Sequence, residues 1–358
     1  MISRRLAVIF LLMLSTVISG CASGNGSKSV VTKEGDAKDT EVLKVFTTLY
    51  PLQYFASAIG GDYIDVESII PLGADAHTFE PTTKQMVEIA ESDLFIYNGL
   101  EMEPYADAIA EAIKKEEVRL VEATRGIETI SHSHGEGHSH EEEGHEEEEQ
   151  HVHEGEVGHG EEAHAHEEAG NGEEKHVHEE GHHHGDKDPH IWLDPYKSIT
   201  LAKNIKNGLV ELMPQHQKEF EENFVDLKKN LERLDEDFHK VIGDKVDPKI
   251  IVSHAAYGYW EESYGLKQIA VSGLSPSDEP SQAELLEIIE VAKANDIQYV
   301  IFEQNVTTKV AEVIRKEINA EPLRLHNLSV LTEEDSKNGD DYFSIMNKNL
   351  ETLKQALQ

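Results

Sequence analysis

The stretch that decides the fold is Pro248-Lys-Ile-Ile-Val-Ser-His254-Ala-Ala-Tyr-Gly-Tyr-Trp-Glu-Glu-Ser-Tyr264-Gly-Leu-Lys-Gln-Ile-Ala-Val271. Ile250–Val252 is a short, unbroken apolar run, as expected of a strand buried on both faces. The segment near Tyr257–Tyr264 reads as a helix, and Leu266–Val271 as a second strand. The alternation continues toward the C-terminus: helix 282–295, strand 299–302, helix 309–318, strand 323–325 and helix 342–357. It also holds toward the N-terminus. There the order is strand 42–49, helix 52–59 ending at Gly60-Gly61, strand 63–70, helix 83–91 capped by Thr82 or Thr83, strand 94–97, helix 103–115 and strand 118–121. Strand alternating with helix predicts parallel sheets with helices on their faces. Between the two halves, Pro195–Val241 is mostly helical and interrupted at Pro214. Phe220, Phe224, Leu227, Leu231, Leu234 and Phe238 recur there at three-to-four spacing. The expected fold is α/β: an N-terminal lobe (42–130) and a C-terminal lobe (248–358), joined by a long connecting helix within 188–247.

Composition narrows the function. The 358 residues carry 32 basic and 70 acidic side chains, a formal charge of −38. Phosphate backbones are repelled by such a surface, so nucleic acid is excluded as a partner. The single cysteine, Cys21, excludes a disulfide framework and a zinc site built on thiolates. The charge is concentrated. Residues 132–188 hold 20 acidic side chains, 2 lysines and 15 of the 21 histidines, a net −18 in 57 residues. Repeats such as His-Ser-His, His-Val-His and Glu-Glu-Gly-His have no apolar periodicity, so residues 131–187 read as an insert that is disordered without metal.

The N-terminus reads as an address. Arg4 and Arg5 precede an apolar run from Leu6 to Ile18, too short to span a bilayer and suited to a signal-peptide core. Ile18-Ser-Gly-Cys21 then resembles a bacterial lipobox, with cleavage before Cys21 and a diacylglyceryl thioether on its sulfur. Residues 1–20 are the expected signal peptide. Residues 21–41, rich in Gly, Ser, Lys and Asp, are the expected anchor and flexible tether.

Six histidines lie outside the insert: His77, His190, His216, His239, His254 and His326. His77 sits in a Gly-containing loop after a strand, His190 in a Pro-flanked loop before the long helix, and His254 at the end of an apolar strand. Loops at the carboxyl ends of parallel strands are where α/β proteins bind ligands. His216 and His239 lie among charged residues on the long helix and read as solvated; His326 follows a strand. A lone histidine in such a place is usually structural. Three converging neutral imidazoles would make a Zn²⁺ site with one position left for water or a carboxylate, whereas Mn²⁺ and Ca²⁺ favour more oxygen.

Four motifs then carry a resemblance: Pro71-x-Gly-x-Asp-x-His77-x-x-Glu-Pro81, Asp188-Pro-His-Ile-Trp-Leu-Asp-Pro195, Ser253-His-x-Ala-Tyr-Gly-Tyr259 and Gly339-Asp-Asp-Tyr-Phe-Ser-Ile-Met346. Together with the lipobox they resemble the zinc branch of the metal-binding lipoproteins of ABC importers, of the ZnuA/AdcA type, over about residues 42–358. The resemblance implies two α/β lobes joined by a rigid helix, with one metal in the cleft between them. It implies His77, His190 and His254 as ligands and Zn²⁺ as the transported ion. The implied partners are an ABC permease with its cytoplasmic ATPase. A lipid-held, monomeric binding protein on the extracellular face of the cell membrane, and not an enzyme, is the expectation.

One departure matters. Relatives supply an Asp or Glu ligand from the last lobe, where this chain reads Leu325-His-Asn-Leu-Ser-Val-Leu-Thr332 and places Ser329 at the matching position. Water is the favoured fourth ligand, with His326, Glu303 and Glu80 as the alternatives. In the insert, His132, His134, His138, His140, His151, His153, His164, His166, His176, His178, His182, His183 and His184 are candidate low-affinity zinc ligands that gather the ion or report its abundance. Rival functions are an Mn²⁺- or Fe²⁺-binding protein of the same architecture, a secreted zinc hydrolase, and a surface adhesin. The first would favour a carboxylate in place of His254, and the second would need a general base beside the bound water.

Overall fold

The computed structural model describes residues 42–113, 117–131, 187–304 and 309–358. Cys21 with its leader and tether, and the insert histidines from His132 to His184, lie outside these residues.

The N-terminal lobe is built on β1 (Leu43–Thr47), β2 (Ile64–Ser68), β3 (Leu94–Tyr97) and β4 (Arg119–Glu122), in the spatial order β2-β1-β3-β4. All pairings are parallel, with Val45 opposite Val66 on one side and Leu94 on the other. Parallel neighbours need crossovers. These contain α1 (Tyr50–Gly60), α2 (Thr83–Ala90) and α3 (Ala106–Ala112). Thr82 is the cap of α2, in a reciprocal box with Gln85. The helix expected from residue 103 starts at Ala106 instead. Leu100 and Glu101 hold left-handed backbone, with φ of 58° and 59°. The Glu103 carboxylate accepts from the Asn98 and Gly99 amides at 2.8 and 3.0 Å, closing a turn where the helix would have begun.

The C-terminal lobe repeats the plan. β5 (Lys249–His254), β6 (Lys267–Ser272), β7 (Tyr299–Glu303) and β8 (Glu321–Leu325) pair in parallel in the order β6-β5-β7-β8. α6 (Gly258–Tyr264), α7 (Gln282–Ala294) and α8 (Lys309–Glu317) lie in the connections. In each lobe the strand order reverses beside the lobe's first strand. That is where α/β sheets open a ligand crevice, and His254 is the last residue of β5.

The connecting pattern resolves into two helices rather than one. α4 (Pro195–Leu212) ends before a 3-10 turn at Pro214–His216, and α5 (Gln217–Ile242) packs back along it. Proline at 214 brings no N–H to continue the ladder, which accounts for the break. α4 packs against α1 and β4. α5, with 26 residues and a length of about 39 Å, also touches α1 but continues to α6. After β8 come the short α9 (Glu333–Asn338) and α10 (Tyr342–Ala356), and α10 packs on both β8 and α5.

The lobes share one apolar core. It runs from Leu43 to Leu353 through Trp192, Phe238, Trp260 and Tyr342; a smaller cluster lies between the second sheet and α7 and α8. Two of the large polar side chains in the shared core are paired across it. Trp260 Nε1 donates to the Leu193 carbonyl at 2.7 Å, and the Tyr342 hydroxyl to the Trp192 carbonyl at 2.8 Å. Phe238 of α5 stacks 5.0 Å from Trp260 and 5.4 Å from Tyr264. Phe238→Ala should therefore cost about 3–5 kcal/mol. Because the core is shared, urea unfolding of the variant should still be one transition at a lower midpoint; two separated transitions would show that the lobes fold independently.

Candidate metal centre

Three histidines from three parts of the chain meet at the carboxyl ends of the first strands. One candidate ligand atom on each of His77, His190 and His254 lies within 4.8 Å of the other two. The ring centroids are 5.3 to 5.6 Å apart, and His77 Nε2 stands 3.4 Å from His190 Nε2. Tetrahedral zinc, with nitrogens at 2.0–2.1 Å, places its ligand atoms about 3.3 Å apart. The pair is already spaced for the ion. His190 and His254 are buried, and His77 is partly exposed.

Each position has a local cause. His77 lies in the loop between β2 and α2, where Asp75 Oδ1 accepts from the His77 amide at 3.0 Å and Asp75 Oδ2 from the Thr78 hydroxyl at 3.2 Å. His190 follows Asp188-Pro189. Asp188 Oδ1 accepts from the His190 amide at 2.9 Å and pairs with its Nδ1 at 2.8 Å. The same loop is held from both lobes: Asn98 Nδ2 donates to the Pro189 carbonyl at 3.0 Å and the Tyr259 hydroxyl to the Asp188 carbonyl at 2.7 Å. His254 Nδ1 lies 2.5 Å from Glu303 Oε1, a close buried ion-pair contact that is not aligned as a hydrogen bond. A carboxylate behind one ring nitrogen keeps the proton there and leaves the other nitrogen's lone pair for a metal.

The alternatives for a fourth ligand are placed elsewhere. Glu303 backs His254 and accepts from Asn327 Nδ2 at 2.5 Å. Ser329 is buried, its hydroxyl donating to Asn327 Oδ1 at 2.9 Å. His326 Nδ1 accepts from the Leu328 amide at 2.9 Å, and its Nε2 pairs with Asp335 at 3.0 Å. Both of its nitrogens are engaged, and burial holds its pKa down. Glu80 is not among the converging groups. His216 stacks on Tyr63 and pairs with Glu219, and His239 lies against Tyr264, both away from the cluster. Sequence reasoning missed the roles of Asp188 and Glu303 as partners of the histidines. The Asp-x-His spacing was a signal for the first; only strand pairing brings Glu303 to His254.

A further buried carboxyl organises the His190 loop. Glu103 accepts from the Asn98 amide, and Asn98 in turn holds Pro189. Burial is the main reason its pKa rises to about 7, against the hydrogen bonds from Thr48, Asn98 and Gly99.

The model of the zinc-uptake complex component A family, ZnuA, described as periplasmic, matches residues 45–356. This chain belongs to the ZnuA family. It is 34% identical over 324 residues to the zinc-binding lipoprotein AdcA of Streptococcus pneumoniae, covering 90% of this chain and 57% of that protein. The chain thus spans little more than half the length of that relative. It is 32% identical to the high-affinity zinc uptake system protein ZnuA of Bacillus subtilis, covering 95% of this chain and 96% of the relative. Among solved structures, the Zn(II)-bound ZnuA-like domain of Streptococcus pneumoniae AdcA superposes with a TM-score of 0.66 at 30% identity, over 88% of this chain and 99% of that one. The family shares the architecture of two parallel-sheet α/β lobes found here.

Two outcomes follow. Asp188→Asn and Glu303→Gln should each lower zinc affinity by about 10–100-fold without changing the number of ions in the cleft, as read by chelator competition. The raised Glu103 pKa favours the neutral acid in the fold. Its contribution is present below pH about 4.5 and is lost as pH rises through about 7. Across that window wild type should lose roughly 3 kcal/mol that Glu103→Gln does not, measured by urea unfolding at pH 4 and pH 8.

Proposed function

We propose that this protein captures Zn²⁺ outside the cytoplasm and delivers it to an ABC permease driven by a cytoplasmic ATPase. The observation that carries the reading is a cluster that, among the described residues, holds three imidazoles and no carboxylate, with ligand atoms within 4.8 Å. An all-nitrogen set suits borderline-soft Zn²⁺ better than Mn²⁺ or Fe²⁺, which favour oxygen. The zinc-uptake family, and relatives named for zinc binding and zinc uptake, support it. The role is transport, not catalysis: the nearby carboxylates Asp188 and Glu303 back the histidines rather than stand free as a general base.

The protein acts as a monomer held to the membrane by lipid on Cys21. No helix among the described residues is long and apolar enough to cross a bilayer. The insert gathers zinc weakly for the cleft. Release follows loosening of the histidine cage, and protonation of the imidazoles favours it, since only neutral imidazole coordinates.

Competition against a calibrated chelator tests this in a variant lacking residues 132–186. One tight Zn²⁺ per chain is expected, held far more tightly than Mn²⁺ and lost in His77→Ala and His254→Ala. Equal affinity for Mn²⁺, or tight binding that survives both substitutions, would sink the reading.

A further inference from the structure

Beside His77 lies a chamber of about 720 Å³ for which a metal ion alone does not account. An ion and one water need a few tens of Å³. The chamber has the size of sites for small organic molecules, and His77, one of the three converging histidines, forms part of its wall. Its apolar side includes Met86, with Phe79 and Tyr105 set edge to face at 5.7 Å. The Tyr105 hydroxyl is buried without a hydrogen-bond partner, and burial, helped by Glu103, keeps it protonated. It is a donor lacking an acceptor, a costly arrangement unless a ligand supplies one. Glu80 and Asp278 bring carboxylates to the same chamber, one from each lobe.

Charge selects the occupant. Three imidazoles leave a tetrahedral zinc one open position and its full 2+ charge. The carboxylates of Asp188 and Glu303, directly behind His190 and His254, balance that charge. A fourth donor with net negative charge would add an excess beside Glu80 and Asp278. A neutral donor would not, and imidazole is a neutral zinc ligand. A molecule that also carries a carboxylate for Tyr105 and an ammonium for Glu80 or Asp278 matches the hydroxyl and the two carboxylates of the chamber and stays neutral overall.

We propose that the cleft binds zinc together with a free imidazole-bearing amino acid, histidine or a close analogue. Its ring nitrogen supplies the fourth ligand, its carboxylate accepts from Tyr105, and its ammonium faces Glu80 and Asp278. The inference rests on the zinc-capture reading above and names the form in which the cargo is held.

Equilibrium dialysis of labelled L-histidine against the zinc-loaded, full-length protein tests it. Histidine held at the insert is separated from histidine in the chamber by Ala108→Trp, which puts a bulky side chain at a wall position that is none of the three converging histidines. Wild type should take up one L-histidine per chain more than Ala108→Trp does, with zinc loading of the two equal. Tyr105→Phe should weaken that uptake about tenfold, and plain imidazole, lacking both charged groups, should bind at least about tenfold more weakly than L-histidine. Equal uptake by wild type, Ala108→Trp and Tyr105→Phe, with a His254-dependent zinc site present, would overturn the proposal and leave zinc capture standing. Absence of that zinc site would instead overturn zinc capture, and the proposal with it.

Discussion

The centre depends on a carboxylate oxygen that accepts twice. Asp188 Oδ1 takes both the amide and the ring nitrogen of His190, and the proline between them leaves the turn little freedom. The imidazole is thereby fixed in position and tautomer before any ion arrives. The rest of the molecule keeps this short segment still. Asn98 of the first lobe and Tyr259 of the second both grip its backbone carbonyls. Trp192, two residues on, is fully buried and donates to the Asn327 carbonyl at 2.7 Å. A loop that belongs to neither sheet is tied to both, so the distance between the lobes and the geometry of the histidines are set by the same contacts.

That coupling explains the shared core. Histidines from separate lobes stay convergent only if the lobes do not drift. α5 and α10, bridging the lobes through Phe238, Trp260 and Tyr342, supply the stiffness. For a site that, on the proposed function, also releases its ion, small shifts about a packed interface serve better than wide opening, because packed cores change by discrete repacking rather than continuous deformation.

The alternation of apolar strands and helices was legible because parallel strands buried on both faces carry an unmistakable pattern. The start of α3 was not, because Glu103, three residues upstream, turns back to accept from the Asn98 and Gly99 amides and closes a turn there. Pro214 announced a break in the long helix, yet nothing local states that the second half folds back along the first; that is decided by which apolar faces meet. The three histidines were individually legible as loop and strand-end residues. Their convergence was not, since they are separated by 113 and 64 positions, and it entered only through resemblance to a family. Glu303 illustrates the limit. It is the last residue of β7, and only the pairing of β7 beside β5 makes it the partner of His254 rather than a ligand.

Ser329 is where the chain departs from the carboxylate pattern it otherwise resembles, and the hydrogen bonds give that departure a physical sense. The serine hydroxyl donates to Asn327 Oδ1, Asn327 Nδ2 donates to Glu303, and Glu303 stands against His254. The segment to which the family resemblance assigns a direct ligand here meets His254 through a chain of contacts instead. A carboxylate at position 329 would add a third negative charge to the two that already back the histidines. With serine there, and with the three histidines as the proposed ligands, the carboxylates behind them equal the charge of a divalent cation, and a bound Zn²⁺ would leave the buried centre neutral, the state that costs least in a low-dielectric interior. On the proposed ligand set, charge balance accounts for serine rather than a carboxylate at this position.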